Sequence, residues 1–225
     1  MSENITVKKK DFIEIKYTGL ANGEIFDSNI PEDLKKINEK AEPKKTIVAI
    51  GEGMVVYGLD KELLDKEIGK DYEIKVPYSE AFGPRKRELI KTIPLSAFTE
   101  NKVMPRPGMV LTLDNYLVKI LTVSGARVIV DFNNPLAGKD LLYKLTIVQK
   151  VNDEKEKCIA LFDFFFRFSP EFEIKEKSVI VKGPKNMGLF VNAYKEKFKE
   201  LIGKELEFEE IKPKKKHSDI EQPQK

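Results

Sequence analysis

Tryptophan is absent from the 225 residues, histidine occurs once at His217, and cysteine once at Cys158. A single cysteine excludes an intrachain disulfide and any two-cysteine zinc or redox motif, and it fits a reducing compartment. A single histidine in a polar tail excludes Ser-His-Asp and Cys-His catalysis within one chain. No apolar run is long enough to span a membrane. Met1 to Asp11 hold no apolar stretch of the kind a signal peptide needs. The expected location is therefore cytoplasmic, and Asn4-Ile5-Thr6 is expected to be an accidental glycosylation sequon. A net charge of +3 is too small to imply nucleic acid, so neither a membrane nor a specific nucleic-acid partner is expected. The basic cluster Lys212 to His217 reads as part of a solvated tail.

Hydrophobic residues make up 41% of the chain, enough for packed cores, and the length suits one large or two to three small domains. The charged fraction, 34%, is dominated by Lys and Glu, a bias also seen in thermophile proteins. The stretch Gly51-Glu52-Gly53-Met54-Val55-Val56-Tyr57-Gly58-Leu59 organises the rest. A β-branched run, Thr46 to Ile50, precedes it as a strand. Leu59, Leu63, Leu64 and Ile68 follow on one face of a short helix ending at Gly69. The next glycine after Gly51 and Gly53 is Gly58, so the spacing of a nucleotide-binding loop is missing. Apolar residues in a buried loop leave backbone N–H groups in need of acceptors, and a ligand's peptide carbonyl is one candidate.

Residues 1–10 are polar and expected to be loose. Phe12 to Thr18 alternates, with Ile13, Ile15 and Tyr17 on one face. Ala21-Asn22-Gly23-Glu24 is a hairpin signal, because Asn-Gly tolerates positive φ. Pro31 to Lys40 reads as a short amphipathic helix. Asp71 to Pro77 reads as a strand leading to the Tyr78–Gly83 loop. About 45 residues then intervene, more than a connecting loop needs, with strand patterns at Leu89–Ile93, Met109–Leu113, and Tyr116–Val123 paired with Arg127–Phe132 across Ser124-Gly125. Linkers are expected near Pro84–Arg87 and Val130–Phe132. Leu141 to Val151 reads as a closing strand. Beyond Asn152, Phe162, Phe164, Phe166 and Phe168 read by period two as one face of a strand, and Val179–Lys182 and Glu205–Ile211 as two more. Asn192 is expected to cap a helix carrying Tyr194, Phe198, Leu201 and Ile202 up to Gly203.

Four motifs in order carry a resemblance. They are Tyr17 with Phe26-Asp27-Ser28, the Gly51–Leu59 stretch, Val76-Pro77-Tyr78-Ser79-Glu80-Ala81-Phe82-Gly83, and Asn134-Pro135-Leu136-Ala137-Gly138-Lys139-Asp140-Leu141. Over residues 8–150 this set resembles the FKBP-type peptidyl-prolyl isomerases, specifically the SlyD-like and long archaeal forms with a domain inserted in the flap. The resemblance implies an α+β fold, with an FKBP-like antiparallel sheet wrapped on a short helix. The implied isomerase domain is discontinuous, 1–86 and 131–151, with an inserted β-rich chaperone domain at 87–130. A C-terminal α+β domain is expected at 152–225, with a polar tail from about 212, and the resemblance does not reach it.

The resemblance also assigns a site. Tyr17, Phe26, Val55, Val56, Leu59 and Tyr143 would line a proline pocket, with Met54 beside them and the Val56 N–H on a substrate carbonyl. Asp27 would face the twisted amide or orient Tyr17; a carboxylate buried among apolar residues is costly unless used or paired. Tyr78, Ala81 and Phe82 would form a flap, with Leu136 on the far wall. Leu59 stands where many members have a tryptophan floor, and Phe82 where a tyrosine hydroxyl often binds substrate backbone. The histidine-rich metal-binding tail of some relatives is missing, so no metal and no cofactor is expected. Leu95, Phe98, Val103, Met104 and Met109 flank the Met104-Pro105-Arg106-Pro107 turn. They form either a surface for capturing chains or the insert's own core, with Met109 assigned to the core. The implied function is prolyl isomerisation in protein folding, with unfolded-chain holding by the insert. The alternative is a non-catalytic chaperone or partner-binding module with a vestigial pocket. Unfolded proline-containing polypeptides are the expected partners, with a homodimer through the C-terminal domain if its phenylalanines are left uncovered.

Overall fold

The computed structural model describes residues 6–211, so Asn4 and the basic tail with His217 lie outside the described residues. The fold is mixed α+β. Residues 6–10 are not loose. Val7 is fully buried, its N–H donates to the Lys66 carbonyl, and its own carbonyl accepts from Asp65. The apolar side chain of Val7 inserted among charged neighbours is what holds this segment down.

The central sheet begins with β1 (Phe12–Ala21) and β2 (Glu24–Ser28), joined at the Asn22-Gly23 turn. Next come α1 (Pro31–Ile37), β3 (Thr46–Ala49), α2 (Tyr57–Leu63) and β4 (Asp71–Val76). The late strand β9 (Leu141–Lys150) lies between β1 and β4, and β3 pairs with the other edge of β1; every pairing in this sheet is antiparallel. Because side chains alternate along a strand, β1 and β3 serve two cores. Ile13, Ile15 and Val48 join Leu59 and Leu63 of α2 and Tyr143, Leu145 and Ile147 of β9 in the first core. Phe12, Ile47 and Ala49 point into a second core with the C-terminal helices.

The helix α2 starts at Tyr57, ahead of Leu59, and ends sooner than the apolar spacing predicts. Leu59 and Leu63, one turn apart, are buried, but Leu64 is extended and exposed. Positive φ at Asp65 then turns the chain away before Ile68.

Residues 87–131 fold on themselves. A 3-10 turn leads into β5 (Ile90–Pro94), followed by α3 (Leu95–Thr99), β6 (Val110–Leu113), β7 (Tyr116–Ser124) and β8 (Arg127–Asp131). They make an antiparallel sheet of order β5-β8-β7-β6, with its own core of Phe98, Val118, Ile120, Val128 and Val130. Phe98 is therefore a core residue and not part of an exposed surface, because α3 turns its ring onto the sheet. Leu95 and Val103 pack half-buried beside it. Met104 stays 72% exposed, and Met109, expected in the core, is also exposed. The connections are stapled together. Asn133 exchanges two hydrogen bonds with the Lys86 backbone (2.8 and 2.9 Å), donates to Asp131 (2.7 Å), and Asp131 pairs with Arg85. Val130, expected in a linker, belongs to β8 and to the insert's core.

The C-terminal region holds α4 (Glu154–Phe165), β10 (Glu171–Ile174), β11 (Ser178–Gly183), α5 (Met187–Ile202) and β12 (Glu205–Glu210). The phenylalanine run is not a strand: Phe162 and Phe164 lie in the last turn of a helix, Phe166 caps it, and Phe168 lies beyond it. Asp153 caps α4 by accepting the Glu156 N–H at 2.8 Å, with acidic residues in the first turn. From that start Cys158, Leu161, Phe162 and Phe166 fall on one buried face. A period-two reading of four phenylalanines cannot see a cap nine residues upstream of the first of them. Likewise α5 begins at Met187, so Asn192 is an exposed residue inside the helix and caps nothing. The stripe from Val191 through Tyr194, Phe198, Leu201 and Ile202 does face the core, and Gly203 ends the helix.

Candidate active site

The Gly51–Gly53 turn owes its shape to a residue outside it. Asp60, 7% exposed on α2, accepts from the Gly51 N–H at 2.8 Å and the Gly53 N–H at 3.1 Å. Both glycines sit at positive φ, where a side chain would strain the backbone. The buried carboxylate is thus satisfied twice and fixes the path into Met54, Val55 and Val56. Val56 leads into α2, its carbonyl accepting from Leu59 and Asp60 at 3.0 Å each. Its own N–H finds no acceptor among the described residues.

This turn forms one wall of a cavity of about 430 Å³, within the ~300–1,000 Å³ usual for small-ligand sites. Leu59 is its buried floor, and Ile15 and Val48 continue the apolar base. Tyr143 from β9 stands edge-on to Phe26 from β2, with centroids 5.9 Å apart, and Tyr17 lies 6.3 Å from Tyr143 on the other side. Gly19 permits that stack, since a Cβ there would come within 2.7 Å of Phe26 Cζ and 3.2 Å of Tyr143. Tyr17 Oη donates to Asp27 Oδ2 at 2.7 Å. Asp27 is exposed at the rim, not buried as expected; the returning strand carries it to the edge, and its cost is met by water and Tyr17. Burial first, then the Asp27 hydrogen bond and charge, push the Tyr17 phenol well above its usual range. Burial, then the charge of Asp27, raises Tyr143 to about 12. Both phenols keep their protons at neutral pH. Among the described residues Tyr143 Oη has no hydrogen-bond partner, so it is a spare donor or acceptor in the cavity.

Tyr17, Phe26, Asp27, Met54, Val55, Val56, Leu59, Phe82 and Tyr143 are thus brought together. Tyr78, Ala81 and Leu136 do not line the cavity. Ala81 and Leu136 pack half-buried against the first core, and Tyr78 is 42% exposed on the rim turn. That turn is anchored by Gly83 N–H to the Tyr78 carbonyl (2.7 Å), Tyr78 N–H to Asp140 Oδ1 (2.8 Å) and Gly138 N–H to the Gly83 carbonyl (2.8 Å). Two lining residues had no signal in the sequence. Phe164 and Arg167, from the end of α4, complete the cavity from across the chain.

An apolar pocket with free backbone and phenol donors, no cysteine, serine or histidine among its described lining residues, and walls from an antiparallel sheet and a short helix suits a reaction that breaks no σ bond. Residues 3–98 match the family of FKBP-type peptidyl-prolyl cis-trans isomerases, and the chain carries that enzyme domain. Residues 91–136 match the IF domain of FKBP26, so the four-stranded insert has a counterpart of its own; neither match extends past residue 136. The short-type peptidyl-prolyl cis-trans isomerase of Methanocaldococcus jannaschii is 28% identical over 145 residues, 63% of this chain and 92% of the relative. The isomerase SlyD of Helicobacter pylori is 28% identical over 160 residues, 69% of this chain and 80% of the relative. SlyD of Treponema pallidum is 31% identical over 110 residues, 46% of this chain and 62% of the relative.

Proposed function

We propose that the chain accelerates proline-limited folding of unfolded polypeptides, with the insert holding the chain whose prolines the pocket isomerises. The free Val56 N–H above an apolar floor is the observation that carries the catalytic part. Rotation about the prolyl amide faces a barrier of ~18–20 kcal/mol and takes tens to hundreds of seconds unaided. Reaching ~10 per second asks for only ~4 kcal/mol. The planar amide is charge-separated and favoured by water, while the twisted amide is not. A ring seated between Tyr143, Phe26 and Leu59 loses that water. The Val56 N–H holds a neighbouring carbonyl, and the Tyr17–Asp27 pair fixes the polar edge of the pocket.

The holding function is supported by apolar side chains that the insert leaves exposed. Met104, Tyr116, Leu117 and Val110 are each more than half exposed, and methionine repacks around varied partners. The linker staple keeps this sheet beside the flap turn, which raises the local concentration of captured prolines, to about the mM range for short tethers. In the C-terminal region Phe168, Leu189 and Phe190 are also exposed, and self-association through them is proposed as the basis of a homodimer. Sedimentation of the full chain decides that point, since a monomer removes the proposal.

A proline-switch assay on a tetrapeptide and on a proline-limited refolding protein tests the main reading. Both rates are expected to rise. Asp27→Ala, which removes the carboxylate together with its bond to Tyr17, is expected to lower both by about tenfold, and Tyr17→Phe, which removes the bond and keeps the carboxylate, should cost less. No acceleration of either substrate would leave the non-catalytic chaperone reading in its place.

A further inference from the structure

The cavity lining contains two charged residues, Asp27 and Arg167, and they reach it from different parts of the chain. Asp27 is engaged by Tyr17. Arg167 follows the last turn of α4 at φ 64°, the left-handed conformation that turns its side chain off the helix axis. Its guanidinium lies over the ring of Phe164, 5.6 Å from the centroid, and Phe164 is braced by Phe165 at 5.0 Å. Among the described residues no carboxylate pairs with Arg167. Asp163 and Glu171 lie four residues away on either side and make no ion pair with it; Asp163 lines a separate cavity with Lys45 and Glu156, and Glu171 begins β10. An arginine held on an aromatic face and left without a carboxylate presents a planar fork of donors to whatever enters the pocket beside it.

We propose that Phe164 and Arg167 form a subsite for an acidic side chain flanking the substrate proline, so that the pocket prefers acidic over basic sequence around its target. The inference rests on the isomerase reading of the same cavity and adds the substrate class to it. Phe164 supplies apolar wall and platform, and Arg167 supplies the charge. Asp27 lines the same cavity, makes no ion pair with Arg167 among the described residues, and repels a carboxylate placed against it, which makes the preference directional. The exposed guanidinium makes the interaction modest and sensitive to salt.

The test uses the full chain and proline peptides carrying Glu, Gln or Lys immediately before or immediately after the proline, measured for both binding and isomerisation. Glu is expected to exceed Lys by about three- to tenfold in kcat/KM and in affinity at low salt on one side of the proline, with the ratio shrinking as salt rises. Arg167→Gln should collapse the ratio and Arg167→Glu should invert it. Lys177→Gln, which removes a charge outside the cavity lining, should leave the ratio in place. Turnover without a Glu-over-Lys ratio, or a ratio that survives Arg167→Gln, overturns the subsite while leaving the isomerase intact. A charge preference in binding that depends on Arg167, seen without turnover, supports the subsite and removes the isomerase. Binding of none of the peptides overturns the subsite.

Discussion

The two additions to the isomerase sheet are built on opposite terms. The insert between β4 and β9 closes its core with residues 93–132 alone and touches the host through two connections tied by Asn133 and Asp131. The C-terminal region has no such independence. Its helices share a core with Phe12, Ile47, Ala49 and Val151 of the host. Ion pairs Lys10–Glu200, Lys45–Glu156 and Lys197–Glu52 cross the same boundary, the last reaching the glycine-rich turn itself. It also lends Phe164 and Arg167 to the pocket. One region is an appendage carried near the site, and the other is part of what shapes it. A motif's place in the chain says little about which of the two it is.

Deletion separates them most sharply. Ending the chain after Val151 uncovers Phe12, Ile47 and Ala49, each apolar side chain losing about 1–3 kcal/mol of burial, and opens one wall of the cavity. A large fall in Tm and in tetrapeptide activity is expected. Replacing residues 88–129 with a short glycine-containing loop should leave the tetrapeptide rate nearly unchanged, while the rate on a refolding protein and the suppression of its aggregation collapse. Equal losses on both substrates would show that the insert supports the pocket and captures nothing.

Single core substitutions should repeat the contrast on a smaller scale. Phe162→Ala and Phe98→Ala each remove a buried ring, at a cost of about 3–5 kcal/mol. Calorimetry and peptide kinetics together should find that Phe162→Ala destabilises the isomerase sheet and slows turnover. Phe98→Ala should melt the insert at a lower temperature and leave tetrapeptide turnover alone.

Smaller still is the effect of Asn133→Ala, which strands polar groups of the Lys86 backbone at a cost of about 1–3 kcal/mol. Hydrogen exchange should quicken at Lys86 and in the linkers while the strands of both sheets stay protected. The rate on refolding proteins should drop more than the rate on peptides.

The least effect is alkaline. Burial raises the Cys158 thiol from 9.0 to about 12, and the folded state keeps a proton that the unfolded chain releases. Its contribution is complete below pH 9 and is lost as pH climbs towards 12; Tyr143 adds in the same direction from 10.0 to about 12. Denaturant titrations should show stability falling through that window, less steeply in Cys158→Ala. An unchanged slope would mean that Cys158 is not sealed in the shared core.

The sequence alone determined the succession of host strands along the chain, the Asn22-Gly23 hairpin and the existence of a β insert with a hairpin just after Ser124, while the pocket residues were named only through the resemblance of the four motifs. These rest on local signals, period-two alternation, turn chemistry and motifs whose members lie within a few residues of one another. The tertiary structure decided the rest. The stretch Phe162–Phe166 satisfies both a strand and a helix period, and only the Asp153 cap and the shared core select the helix. Asp60 as the clamp of the glycine turn, Phe98 as core, Asp27 as a rim group, and Phe164 and Arg167 as a pocket wall depend on which surfaces meet across up to 150 residues of chain. Burial and partnership are properties of the packed whole, so no window of sequence contains them.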